Sequence, residues 1–269
     1  QSSSINKMRR GKPLMSCIAK YSGILISLII TGVLARLISP DKFGIVAVVT
    51  VITFFFSIFS DLGIGAAIIQ NKELQQKDLN QLFSFTVWSG CILTLLFFLC
   101  SWPISFFYKE PSMKTITQLL AINLFFASAN IVPNALLYKA KAFKFLAWRS
   151  LGVQVSGGII AILAALGGAG LYALIINPIL SSILLFIISY QKYPQTLEMT
   201  WGIPSIRKIF KFSAYQFIFN IINYFSRNLD KLLIGKYMGM SPLGYYEKSY
   251  RLMMLPLQNI THVITPVMH

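Results

Sequence analysis

Long apolar runs separated by short polar breaks dominate the chain from residue 16 onward. A membrane-spanning helix needs about 20 apolar residues, and eight runs come close to or exceed that length. They predict helices over 16–38, 43–69, 82–108, 115–138, 145–166, 171–190, 210–234 and 243–267. Membrane strands alternate over about ten residues, and these solid runs do not. The pattern predicts an all-α integral membrane protein, a polytopic helical bundle of about eight transmembrane helices.

Polar residues interrupt some runs at helical spacing. In the seventh, Gln216, Asn220, Asn223, Arg227 and Asp230 fall at offsets 0, 4, 7, 11 and 14. With about 3.6 residues per turn, they share one face. In the eighth, Glu247, Arg251, Gln258 and His262 (offsets 0, 4, 11 and 15) do the same, as do Asn123, Asn130 and Asn134 in the fourth. Asp61 follows the long second run and Arg36 ends the first. A charge at mid-bilayer costs roughly 2.5–3.5 kcal/mol on insertion scales, so such stripes face water or partners rather than lipid. Two readings stand side by side. One is a polar cavity; the other is pairing within a helix, Arg227 with Asp230 and Glu247 with Arg251. Arg36 and Asp61 can also lie near the interface, where snorkelling makes them cheap, and the three asparagines can join helices. Asp61, Asp230, Glu247 and His262 are the groups on these faces able to carry a coupled proton.

The chain carries 24 basic and 8 acidic residues, and only 12% of it is charged. The bases cluster in alternate breaks: Lys7 to Lys20, Lys72 and Lys77, Lys139 to Arg149, and Lys192 to Lys211. The positive-inside rule places these breaks, and the N-terminus, on the cytoplasmic side of the membrane. A nucleic-acid face would have to be soluble, which this distribution excludes. Cys17, Cys91 and Cys100 lie inside apolar runs and read as small buried hydrophobes. No metal constellation, nucleophile–base pair or Walker motif stands out, so neither a cofactor nor an enzymatic activity is expected. The start at Gln1 and the stop inside an apolar run at His269 lead us to expect a piece of a longer protein.

Two stretches resemble each other. At an offset of 200 residues, Arg36 falls on Lys236, Phe43 on Leu243 and Gly44 on Gly244. Six helices separate them, which restores the same orientation, as in a parallel repeat with a substrate path between paired lobes. The expected organisation is a six-helix lobe over 1–190, a cytoplasmic linker over 191–208 and the first two helices of a second lobe over 209–269.

The run LARLISPDKFGIVAVVTVITFFFSIFSDLGIGAAIIQNKELQQKDLNQLF resembles the first hairpin of the Wzx-type polysaccharide flippases, in the colanic-acid-exporter-like group of the multidrug/oligosaccharidyl-lipid/polysaccharide exporter superfamily. SRNLDKLLIGKYMGMSPLGYYEKSYRLMMLPLQNITHVITPV resembles that family's seventh and eighth helices. The resemblance implies a two-lobe transporter working by alternating access. It implies a bacterial inner-membrane protein that moves an undecaprenyl-diphosphate-linked oligosaccharide for O-antigen, capsule or exopolysaccharide, beside polysaccharide assembly proteins. Arg36, Arg227, Lys231 and Arg251 would then meet phosphate, since cations suit a diphosphate. Gln216, Asn220, Asn223, Gln258, Asn123 and Asn130 would meet the glycan. The rival within the superfamily is a drug or cation antiporter, for which acidic rather than basic cavity residues are expected.

Overall fold

The structure is a computed structural model that describes residues 22–23, 25–199, 203–250 and 253. Arg251, Gln258 and His262 lie outside the described residues. Among the described residues every regular element is a helix. In chain order they are α1 (Leu25–Leu37), α2 (Pro40–Asp61), α3 (Ile64–Gln70), α4 (Gln76–Tyr108), α5 (Ser112–Ala129), α6 (Ile131–Lys139), α7 (Phe143–Leu166), α8 (Leu171–Lys192) and α9 (Ile203–Tyr237). The last helix among the described residues, α10, is described over 240–250.

The turns explain where the runs break. Pro40 opens α2 behind an extended Ser39, with Asp41 in the first turn, where proline costs no hydrogen bond and an acid complements the helix dipole. The second run does not continue as one helix. Leu62 (φ 45°) and Gly63 (φ 76°) are left-handed, and the Asp61 carboxylate accepts the Gly65 amide at 3.0 Å to start α3. A capping box between Gln75 and Asp78 opens α4. The fourth run bends by 41° between α5 and α6. Pro133 has no amide hydrogen, and its ring crowds the carbonyl four residues earlier, at Ala129.

Four helices (α2, α4, α7 and α8) are long and apolar enough to cross a membrane, and a fifth span results if the bent α5–α6 pair counts as one. This is a multi-pass membrane protein. Of the other expected spans, the described part of the first is helical over 22–23 and 25–37, and most of the eighth lies outside the described residues. α9 has 35 residues, but Gln216, Asn220, Asn223 and Arg227 interrupt its apolar sequence. α2 is the central helix: 56% of its apolar window is buried, against 17% for α8. Its Val48 and Val49 join a core with Phe97 of α4, Ile116 and Leu124 of α5, and Leu243 of α10. A second core joins α3, α4 and α6 with Ile209 of α9. Leu95, Phe106, Leu163 and Leu166 face outward, a surface suited to lipid.

Among the described residues, the basic breaks after α3, α6 and α8 gather at one end. The Lys139 ammonium donates to the Asn71 carbonyl at 2.7 Å. The segment after α8 runs beside α4: Gln76 donates to Gln195, the Thr196 amide to Asn80, the Glu198 amide to Ser84 and the Trp88 indole to the Glu198 carbonyl. α9 begins at Ile203, and its Ser205 hydroxyl and Lys208 ammonium both reach Asp78 at 2.7 Å. Arg149, which the sequence places among loop bases, is buried instead. It donates to Asn134 at 2.9 Å and to Ser189, tying α6, α7 and α8 together.

At the other end, α2 and α10 meet backbone to backbone. A methyl added at Gly44 would lie 2.0 Å from the Met240 carbonyl oxygen, and one at Gly244 would lie 1.9 Å from that of Pro40. Real Cβ atoms do not approach so closely, and the obstacle is main chain. Gly44→Ala and Gly244→Ala should each destabilise the protein by about 1–3 kcal/mol or more through overpacking. Gly32→Ala, with open space around it, should leave the melting temperature in detergent unchanged. Equal melting temperatures for all three variants would contradict the close crossing.

Candidate functional site

A cavity of about 640 Å³ lies between α1, α2, α9 and α10, with Gln154 of α7 and Asn177 of α8 completing its wall. It follows α2 turn by turn, past Phe43, Val46, Ala47, Thr50, Val51 and Phe54. Pairs of lining residues stand 200 positions apart: Ser27 and Arg227, Thr31 and Lys231, Ala47 and Glu247, Thr50 and Tyr250. The crossing obeys the same offset, since Gly44 meets Met240 and Gly244 meets Pro40. So does a third contact: Gly235 packs on Val48, and Lys248 reaches the Ala35 carbonyl at 3.4 Å. Contacts that exchange in this way are the signature of a local two-fold relation. The two hairpins therefore face each other across the cavity.

Their linings differ in chemistry. The α1–α2 wall supplies the hydroxyls of Ser27, Thr31 and Thr50. The α9–α10 wall supplies Asn223, Arg227, Asn228, Lys231, Glu247 and Tyr250. Lys231 and Glu247 pair at 2.8 Å, with side chains 12% and 15% exposed. The Lys231 ammonium also stands 4.9 Å from the centre of the Tyr250 ring. Arg227 lies one turn from Lys231, and among the described residues no carboxylate is within ion-pair distance of it.

Of the residues expected from the sequence, the cavity brings together Asn223, Arg227, Lys231 and Glu247. The others stand elsewhere. Arg36 is exposed at the end of α1. Gln216 donates to Asn220 at 2.9 Å and packs beneath the α2–α3 turn at Gly63. Asp230 accepts from its neighbouring Lys231 amide at 2.9 Å and from the Tyr246 hydroxyl. Asp61 caps α3. Asn123 is half-buried on α5, and Asn130 joins α5 to α6. Sequence reasoning missed Gln154, Asn177, Asn228, Tyr250 and the hydroxyls of Ser27, Thr31 and Thr50. The side chain of Gln154 donates to the Gly23 carbonyl at 2.9 Å. Asn177 precedes Pro178 in an otherwise apolar run, an isolated amide that gave the available signal.

Residues 33–269 match the family described as polysaccharide biosynthesis protein. The teichuronic acid biosynthesis protein TuaB of Bacillus subtilis (strain 168) is 27% identical over 80% of this chain and 45% of its own length. The lipopolysaccharide biosynthesis protein WzxC of Escherichia coli (strain K12) is 24% identical over 94% of this chain and 52% of its own. For the succinoglycan biosynthesis transport protein ExoT of Rhizobium meliloti (strain 1021) the figures are 20%, 94% and 51%. The chain spans about half the length of these curated relatives. No solved structure matches the chain.

The cavity makes a prediction about access. After removal of the native cysteines, cysteine at Thr31, Thr50 or Arg227 should react with a water-soluble thiol reagent in membranes, and cysteine at Val49, fully buried, should not. Protection of all four positions would rule out a water-filled path.

Proposed function

The chain belongs to the polysaccharide biosynthesis protein family, and on that footing we propose that it forms the substrate path of a lipid-linked oligosaccharide flippase. The substrate is an undecaprenyl-diphosphate-linked oligosaccharide, and the protein turns it by alternating access from the cytoplasmic to the outer leaflet of the inner membrane for surface polysaccharide assembly. In this reading residues 1–190 form one lobe, 191–208 link it to the next, and 209–269 open a second lobe. The protein moves its substrate and does not transform it chemically.

The observation that carries the proposal is the cavity between the two hairpins, with cations on one wall and hydroxyls and amides on the others. A diphosphate needs charge-assisted donors, which Arg227 and Lys231 supply. A saccharide needs neutral donors and acceptors, which Asn223, Asn177, Gln154 and the hydroxyls of Ser27, Thr31 and Thr50 supply. Arg36 and Arg251 are further cations for the head group on its way in or out. A drug or cation antiporter would favour free carboxylates. Among the described lining residues the carboxylate is Glu247, and Lys231 neutralises it.

Deleting the complete gene should trap the lipid-linked oligosaccharide in the cytoplasmic leaflet and abolish surface polysaccharide. Each charge-assisted contact contributes about 1.5–3 kcal/mol, so an Arg227→Ala/Lys231→Ala double variant should lower export by at least about a hundredfold at normal membrane levels. Full export by that variant would sink the cationic path, and unchanged polysaccharide with altered drug sensitivity would favour the antiporter. Reporter fusions at Lys141 and Glu110 test the orientation: the first should report cytoplasm and the second the opposite side.

A further inference from the structure

Both members of the cavity's ion pair are peculiar to the second hairpin. Where α9 has Lys231 and α10 has Glu247, the corresponding positions of the first hairpin are Thr31 and Ala47. A carboxylate is an unexpected lining for a cavity that receives an anion, because it repels the ligand that Lys231 attracts. A tie between two helices would account for the pair, yet the desolvation of a largely buried pair offsets much of its attraction, and Asp230 with the Tyr246 hydroxyl already joins α9 to α10. Three observations point beyond a tie. Lys231 and Glu247 both border the cavity. The Lys231 ammonium is held at a fixed point, with the carboxylate at 2.8 Å and the Tyr250 ring at 4.9 Å. Arg227, one turn away, borders the same space with no carboxylate in reach among the described residues.

We propose that Glu247 is a displaceable counter-ion that makes the cavity selective for a diphosphate. Without ligand it occupies Lys231 and keeps that cation in place. An entering head group puts a phosphate oxygen where the Glu247 carboxylate stood and a second phosphate against Arg227. Because the ligand must outcompete a carboxylate already in position, one anionic charge is not enough, and a head group with two phosphates is preferred over one. The inference rests on the anionic-substrate reading above, and deepens it by assigning Glu247 the discrimination between head groups.

The test measures binding of farnesyl diphosphate and farnesyl monophosphate to the complete protein in nanodiscs, with empty nanodiscs as the blank. Wild type should prefer the diphosphate. Glu247→Gln keeps the shape and removes the charge. It should raise farnesyl diphosphate affinity about tenfold, a shift of about 1.4 kcal/mol, and raise monophosphate affinity more, which narrows the preference. Lys231→Gln should weaken both ligands, and in that background Glu247→Gln should change affinity less than about twofold, because coupled residues are not additive. Glu247→Asp keeps the charge and should keep the preference, which separates lost charge from lost packing. Affinity unchanged or weakened by Glu247→Gln, with Lys231→Gln still weakening binding, would overturn the counter-ion proposal and leave the anionic-substrate reading standing. Wild type that binds neither ligand, or binding insensitive to Lys231→Gln, would overturn both.

Discussion

Two main-chain carbonyls, those of Pro40 and Met240, set how close the halves of this molecule come. Each lies where a side chain at the opposing Gly244 or Gly44 would have to be, so α2 and α10 approach to backbone contact. Once they meet, α9 is committed to lean on α2. Gly235 packs on Val48, and the Tyr224 hydroxyl reaches the Val51 carbonyl at 3.4 Å. The cavity begins at this crossing, at Phe43, and follows α2 as far as Phe54. Its four helices are the ones that the crossing assembles.

Lipid and cavity make opposite demands, and different helices meet them. α4, α7 and α8 are long and mostly apolar, and turn Leu95, Phe106, Leu163 and other large side chains outward. α9 carries the amides and cations, which a lipid-facing helix could hold only at a cost of a few kcal/mol per charge. Asn223, Arg227 and Lys231 instead border the cavity that α9 shares with α1, α2 and α10. Arg149 meets the same problem differently: it is buried among α6, α7 and α8, with Asn134 and Ser189 as acceptors in place of a carboxylate.

Most of the helical fold was legible in the sequence, because a span is a local property of length and apolarity. The offset between Gly44 and Gly244 was legible too. The breaks were harder to see. Gly63 is a plain signal in the DLGIG stretch, but Leu62, also left-handed, carries none. Pro133 bends its run whereas Pro103 and Pro178 sit inside continuous helices, since neighbouring groups can satisfy the freed carbonyl. Of the face predicted on α9, Asn223 and Arg227 border the cavity, Gln216 and Asn220 bond to each other below it, and Asp230 turns to Tyr246. The hydroxyls of the first wall were invisible. Thr53, for example, satisfies its own hydroxyl on the Val49 carbonyl, so serine or threonine in an apolar run says nothing by itself about water.

α4 and α9, 33 and 35 residues long, are each about 50 Å in length at about 1.5 Å per residue. They run in the same direction and are joined near both ends. Ser205 and Lys208 hold Asp78 at the first; Lys236 holds the Phe107 carbonyl, and Tyr108 that of Leu232, at the second. In mechanical terms the pair is a double beam, with one rail from each half of the sequence. Two rails fixed at both ends cannot slide past each other. Relative motion of the halves must therefore bow α9 between its fastenings or release one of them. Each end has a fastening that is not buried: the Lys208 side chain is 55% exposed, and the Lys236–Phe107 bond is exposed.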